Sequence, residues 1–107
     1  MLTFIDCIPS RSTVSRHDFL NLLGGAANDG EETTAEISVW GRIDVEWKPL
    51  ITKSFKIAAK EHKHLYFTLE PKVFSSDYWG ERIEEIELVV SDRKPPETKR
   101  VQMVFIN

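Results

Sequence analysis

In the stretch AEISVWGRIDVEWKP, residues 35–49, apolar side chains recur at every second position: Ile37, Val39, Ile43, Val45 and Trp47 share one parity, with Gly41 in the middle slot. A period of two is the mark of a half-buried strand, whose successive side chains face opposite sides. Trp40 falls on the other parity, among Ser38, Arg42, Asp44 and Glu46. Three arrangements accommodate it: covered by another element, turned inward by a bulge at Gly41, or exposed for a partner. The bulge would bring Trp40 to Ile43, Val45 and Trp47 but send Ile37 and Val39 outward. Burying each such side chain contributes about 1.5–3 kcal/mol, so the straight register is favoured. Gly41 then marks a thin spot on the apolar face, suited to a bend or a close approach.

The same period marks further strands. LTFIDCI has strand composition and ends at Pro9, Phe55 and Ile57 alternate in KSFKIAA, and Leu65, Phe67 and Leu69 alternate in HLYFTLE before Pro71. In RIEEIELVV, residues 82–90, Ile83 and Ile86 are spaced as on a helix, whereas Ile86, Leu88 and Val90 are spaced as on a strand. The Val89–Val90 pair favours strand, with a bulge or single helical turn ahead of it. VQMVFI is apolar on both parities, which predicts a strand covered on both faces. SSDYWG reads as a turn.

One segment carries helical signals. Ser15 is placed as an N-cap with Asp18 in the capping-box position, Val14 and Phe19 fit a hydrophobic staple, and Gly24 sits where a helix would end. Residues 24–34, GGAANDGEETT, carry no large apolar side chain and read as a flexible acidic loop. The expected architecture is therefore mainly β: an antiparallel β-sandwich or curled sheet of five to six strands with one short N-terminal helix. It forms a single domain over residues 1–107, and no βαβ alternation points to a parallel fold.

Composition narrows the class without naming an activity. The chain is 41% hydrophobic and 29% charged, an ordinary globular balance. Its one cysteine, Cys7, cannot form an internal disulfide, which points to a reducing compartment. The start MLTFIDCIPSR lacks the basic opening and apolar run of a signal peptide. No apolar run reaches the roughly 18 residues of a membrane span. An intracellular, cytoplasmic location without a transmembrane segment is expected. The net charge of −3 argues against general nucleic-acid binding, with eight acidic and four basic residues in 1–52 and nine and ten in 53–107.

Candidate chemistry is sparse. His62 and His64 share a side of an extended chain, but two ligands do not close a zinc site, and neither His17 nor Cys7 is linked to them by spacing. Cys7 lies in an apolar strand, where a free thiol is usually inert. Glu84, Glu85 and Glu87 read as a solvated strand edge rather than an acid–base pair. Gly24–Gly25 follows the helical pattern instead of preceding it, the reverse of a phosphate loop. Lys53, Lys56, Lys60 and Lys63, near Tyr66 and Phe67, could track a phosphate backbone, as could Arg93, Lys94, Lys99 and Arg100; acids interrupt both groups.

The aromatics weigh more. Trp47 is in phase with the core, whereas Trp40, Tyr78 and Trp79 stand in polar surroundings. Rigid rings with a polar tip supply contact area at small entropic cost; the competing reading is that Tyr78 and Trp79 fold back and plug an open end. These features favour a non-enzymatic protein–protein interaction module: an adaptor, subunit or self-assembling structural protein. Its contact residues would be Trp40, Arg42, Tyr78 and Trp79, with no cofactor and no metal. A glycan or small-ligand module using the same rings is the first alternative. Binding of nucleic acid or an anionic membrane through Lys53, Lys56, Lys60 and Lys63 is the second.

Overall fold

Alternating inward and outward side chains build two sheets in the computed structural model, which describes residues 1–80, 83–98 and 100–107. Arg82, at the start of the strand expected over 82–90, and Lys99, from the second basic group, lie outside the described residues. In chain order the elements are β1 (Leu2–Pro9), β2 (Thr13–Val14), β3 (Leu20–Asn28), β4 (Thr33–Arg42), β5 (Trp47–Ile57), β6 (His62–Leu69), a 3-10 turn (Pro71–Phe74), the one-turn helix α1 (Ser76–Trp79), β7 (Glu85–Ser91) and β8 (Gln102–Ile106). One sheet has the order β1-β3-β6 and the other β2-β8-β7-β4-β5. All pairings are antiparallel except the short β2–β8 contact. The mainly β, two-sheet architecture is the expected one. Chain crossings between sheets, with β1-β3-β6 facing β8-β7-β4, match the connectivity of immunoglobulin-type sandwiches.

The core lies between the sheets. Leu20, Leu22 and Ala26 of β3 and Leu65, Phe67 and Leu69 of β6 face Ile37 and Val39 of β4, Ile86, Leu88 and Val90 of β7, and Val104 and Ile106 of β8. Val73 and Phe74, from the 3-10 turn, add to it.

The helical signal at residues 15–23 resolves differently. Ser15 and Asp18 do make the capping bonds: the Ser15 N–H donates to Asp18 Oδ2 at 3.4 Å, and the His17 N–H donates to Ser15 Oγ at 3.1 Å. They close a single turn, and the chain then enters β3. Leu20, Leu22, Gly24 and Ala26 alternate inward, and β3 pairs on both sides, with β1 and β6. Phe19, expected in a staple, is 58% exposed.

The acidic loop is correspondingly shorter, because Gly24–Asn28 belong to β3 and Thr33 opens β4. Buried Asn28 ties the turn between them: its amide donates to the carbonyls of Glu31, Ile57 and Ala58, and its side-chain oxygen accepts from the Gly30 N–H. The long alternating run 35–49 is also divided. It forms a hairpin, β4 and β5, whose turn holds Val45 at 84% exposure. In β8, Val104 and Ile106 are buried, but Phe105 on the other parity is exposed.

Candidate functional site

Trp40 keeps the expected straight register: Ile37 and Val39 point into the core, and Trp40 points to the outer face of the five-stranded sheet. The irregularity lies on the neighbouring strand, where Leu50 is the extra residue between Ile51, paired with Val39, and Pro49, paired with Trp40. The expectation that Trp40 is an exposed contact residue is not met, since it is only 6% exposed. Its strand is central, Pro49 and Val89 flank it across both ladders, and Asp92 and Lys94 line the small recess beside it. The thin spot at Gly41 is filled by Leu50 and Ile86.

Arg42, one row further, is engaged within the sheet. Its Nε donates to the Glu87 carboxylate, which raises the guanidinium pKa, and its guanidinium carbon lies 4.8 Å from the Trp47 ring centroid. Trp47–Arg42–Glu87 is thus a half-buried cross-strand stack.

Tyr78 and Trp79 sit in α1. Ser75 Oγ accepts the Tyr78 N–H at 3.3 Å, and Gly80 ends the turn in the left-handed region at φ 79°. The Trp79 indole donates to the Val73 carbonyl at 2.8 Å, its ring packs on the core margin, and Tyr78 meets it edge-on at 5.6 Å. The Lys48 ammonium lies 4.7 Å from the Trp79 ring and 5.7 Å from the Tyr78 ring. Beside them, Ile43, Asp44, Val45, Glu46, Lys48 and Ile83 frame an open cleft of about 410 Å³. Both rings are half-buried, and Trp79 anchors this end of the sandwich.

The four lysines do not form one track. Lys53 donates to the Tyr66 carbonyl at 2.9 Å and lies over the Phe55 and Phe67 rings, Lys56 lies 3.6 Å from Glu32, Lys60 occupies a turn with positive φ, and Lys63 is half-buried. In the second basic group Arg93 pairs with Glu97, and Arg100 donates to the Ile5 carbonyl. Cys7 is buried, and burial pushes its thiol up to about 11, so it is a poor nucleophile at neutral pH. Among the described residues no three His, Cys, Asp or Glu side chains gather as a metal site, and no helix is long and apolar enough to cross a membrane.

A surface missed by sequence reasoning stands out instead on the outer side of the three-stranded sheet. Registers of β1, β3 and β6 arrange it in rows: Ile8–Leu23–Tyr66, then Ile5–Gly25–His64, then Thr3–Ala27–His62. Ile8 and Tyr66 are 54% and 63% exposed, and Leu23 is half-buried. No Asp, Glu, Lys or Arg occupies these rows, although the chain is 29% charged. Charge appears at the margins: Lys53 reaches the β6 edge, and Asp6, in the β1 bulge, lines a separate opening with Arg93 and Arg100. The signal was the outward set Leu23, Gly25 and Ala27, which helix and loop assignments concealed.

No protein-family model matches the chain, and no curated protein sequence is significantly similar to it. Solved structures do share its fold. A β-glucosidase from Erythrobacter marinus superposes with a TM-score of 0.79 at 13% identity, covering 100% of this chain and 15% of that one. A β-glucosidase from Listeria innocua in complex with glucose gives 0.74 at 14% identity, covering 100% and 16%. A β-glucosidase involved in saponin metabolism from intestinal bacteria gives 0.79 at 10% identity, again covering 100% and 16%. The chain thus spans about one sixth of the length of these enzymes.

Proposed function

We propose that this sandwich is a non-enzymatic protein-contact module that docks through the outer face of its three-stranded sheet. The observation that carries the reading is the charge-free set of rows from Ile8–Leu23–Tyr66 to Thr3–Ala27–His62 in a chain with 29% charged residues. Interface centres are depleted in charge and surrounded by a polar rim, and in these rows Ile5, Ile8, Leu23 and Tyr66 stand beside the uncharged polar side chains of Thr3, His62 and His64. The buried Cys7 thiol, raised to about 11, gives no support to nucleophilic catalysis. A free, buried Cys7 favours a reducing compartment for the module.

Leu23→Glu tests this reading by placing a carboxylate on the face, on its central strand β3, without touching the core. Specific protein partners captured by the wild-type chain should be lost with the variant, at unchanged melting temperature. Equal capture by both would remove the face as the contact site.

A second reading rests on the cleft beside Trp79. An aromatic ring, two carboxylates (Asp44 and Glu46) and Lys48 are the groups that hold a polyhydroxylated ligand such as a saccharide. Tryptophan fluorescence titrated with a glycan panel should then respond in the wild type and not in Trp79→Phe. Silence across the panel removes this reading.

A further inference from the structure

Lys48 is paired with Gly41 in the β4–β5 ladder, one place along from Trp47, so its side chain leaves the strand on the side opposite the Trp47–Arg42 stack. That side faces α1, and there the ammonium lies over two rings. Its Nζ is 4.7 Å from the Trp79 ring centroid and 5.7 Å from the Tyr78 centroid, and the rings themselves meet edge-on at 5.6 Å. Among the described residues no ion pair joins Lys48 to Asp44 or Glu46, the two carboxylates that line the same cleft. The chain itself thus shows what the ring pair holds: an ammonium, within the roughly 6 Å reach of a cation–π contact.

We infer that the ligand of this cleft carries an alkylammonium group, which takes the place of Lys48 on Tyr78 and Trp79. This rests on the reading of the cleft as a saccharide site and narrows the ligand to an amine-bearing saccharide. Both rings are half-buried, so a cation lying on them is partly shielded from water, and the contact is stronger than on an open surface. Among the described residues that line the cleft, Asp44 and Glu46 bring two negative charges against the one positive charge of Lys48. That lysine is carried on a flexible four-carbon stem and can swing aside. Ile43, Val45 and Ile83 supply apolar wall for the carbon framework, and about 410 Å³ is within the range of small-molecule sites. A neutral sugar would displace the resident ammonium and offer the rings and carboxylates no charge in return. An amine-bearing one replaces it in kind.

Titrations followed by the chemical shift of the Trp79 indole N–H would compare glucosamine, N-acetylglucosamine and glucose oligomers of equal length, at mildly acidic pH where the free amine is protonated. The glucosamine series should bind about tenfold more tightly than the other two. Lys48→Gln separates the two roles open to the lysine. If Lys48 is the resident cation, its removal should tighten glucosamine binding about two- to fivefold; if it donates to sugar hydroxyls, its removal weakens every series. Asp44→Asn combined with Glu46→Gln changes two exposed side chains at the hairpin tip, so it should abolish the preference for the amine at unchanged melting temperature. Equal affinity for the three series, or weaker glucosamine binding by Lys48→Gln, overturns the inference and leaves the saccharide reading standing. No response to any series removes both.

Discussion

Trp40 packs on the outer side of a central strand at 6% exposure, and its indole N–H has no hydrogen-bond partner among the described residues. Two opposing terms follow. Removing the ring should cost about 3–5 kcal/mol, as for other buried aromatics, so Trp40→Ala should lower the urea midpoint sharply. Trp40→Phe keeps most of the packing and removes a donor whose burial costs about 1–3 kcal/mol, so its net loss should stay below about 1.5 kcal/mol. Equal losses in the two variants would show that the donor is not a burden. Gly41 is the complementary case: a Cβ there would stand 2.8 Å from Leu50 Cδ1 and 2.9 Å from Ile86 Cδ1. Gly41→Ala should therefore cost about 1–3 kcal/mol by overpacking. The thin spot was readable from the alternation around Gly41. The cover over Trp40 was not, because it comes from Pro49, Val89 and the segment with Asp92 and Lys94.

Cys7 links the same scale to pH. Burial raises its thiol from an ordinary 9.0 to about 11, so the folded state holds the proton that the unfolded state has released. The stabilisation is complete below pH 9 and is lost as pH rises toward about 11. Urea midpoints of the wild type should fall across that window, and those of Cys7→Ser should fall less. Parallel curves would exclude Cys7 as the cause.

At the scale of elements, alternation is informative about strands and silent about where they turn. Val45 shares parity with Ile37 and Val39, yet it sits at the hairpin tip at 84% exposure. Were it in the core, Val45→Ser would cost about 1.5–3 kcal/mol. At the tip the change should stay within about 0.5 kcal/mol, a difference chemical denaturation resolves. A large loss would place Val45 inside and remove the turn. The reversal at Ile43–Glu46 lacks Gly and Pro, so only pairing of Arg42 with Trp47 and of Trp40 with Pro49 reveals it. For β3 the local and distant signals conflict. Ser15 and Asp18 specify one turn, while pairing with both β1 and β6 imposes an extended chain from Leu20 onward. Tertiary pairing prevails, and with it the outward set Leu23, Gly25 and Ala27 becomes a surface.

Across the whole molecule the two sheets present different outer faces. The five-stranded sheet carries Arg42, Glu36, Glu85 and Glu87 on its outer side, whereas the rows on the three-stranded sheet carry no Asp, Glu, Lys or Arg. Salt dependence follows from that contrast. Raising ionic strength from about 0.1 M to about 1 M shortens the Debye length from about 10 Å to about 3 Å. A lysine-based contact with nucleic acid or an anionic membrane would weaken steeply over this range. Contact through the uncharged face has no ion pairs in its rows to lose. Partner capture through this face should therefore hold or rise modestly with sodium chloride, and rise further in sulfate, which favours apolar burial. A tenfold weakening in salt would mean that charges at the margins, such as Lys53 or Asp6, carry the contact instead of Leu23 and Tyr66.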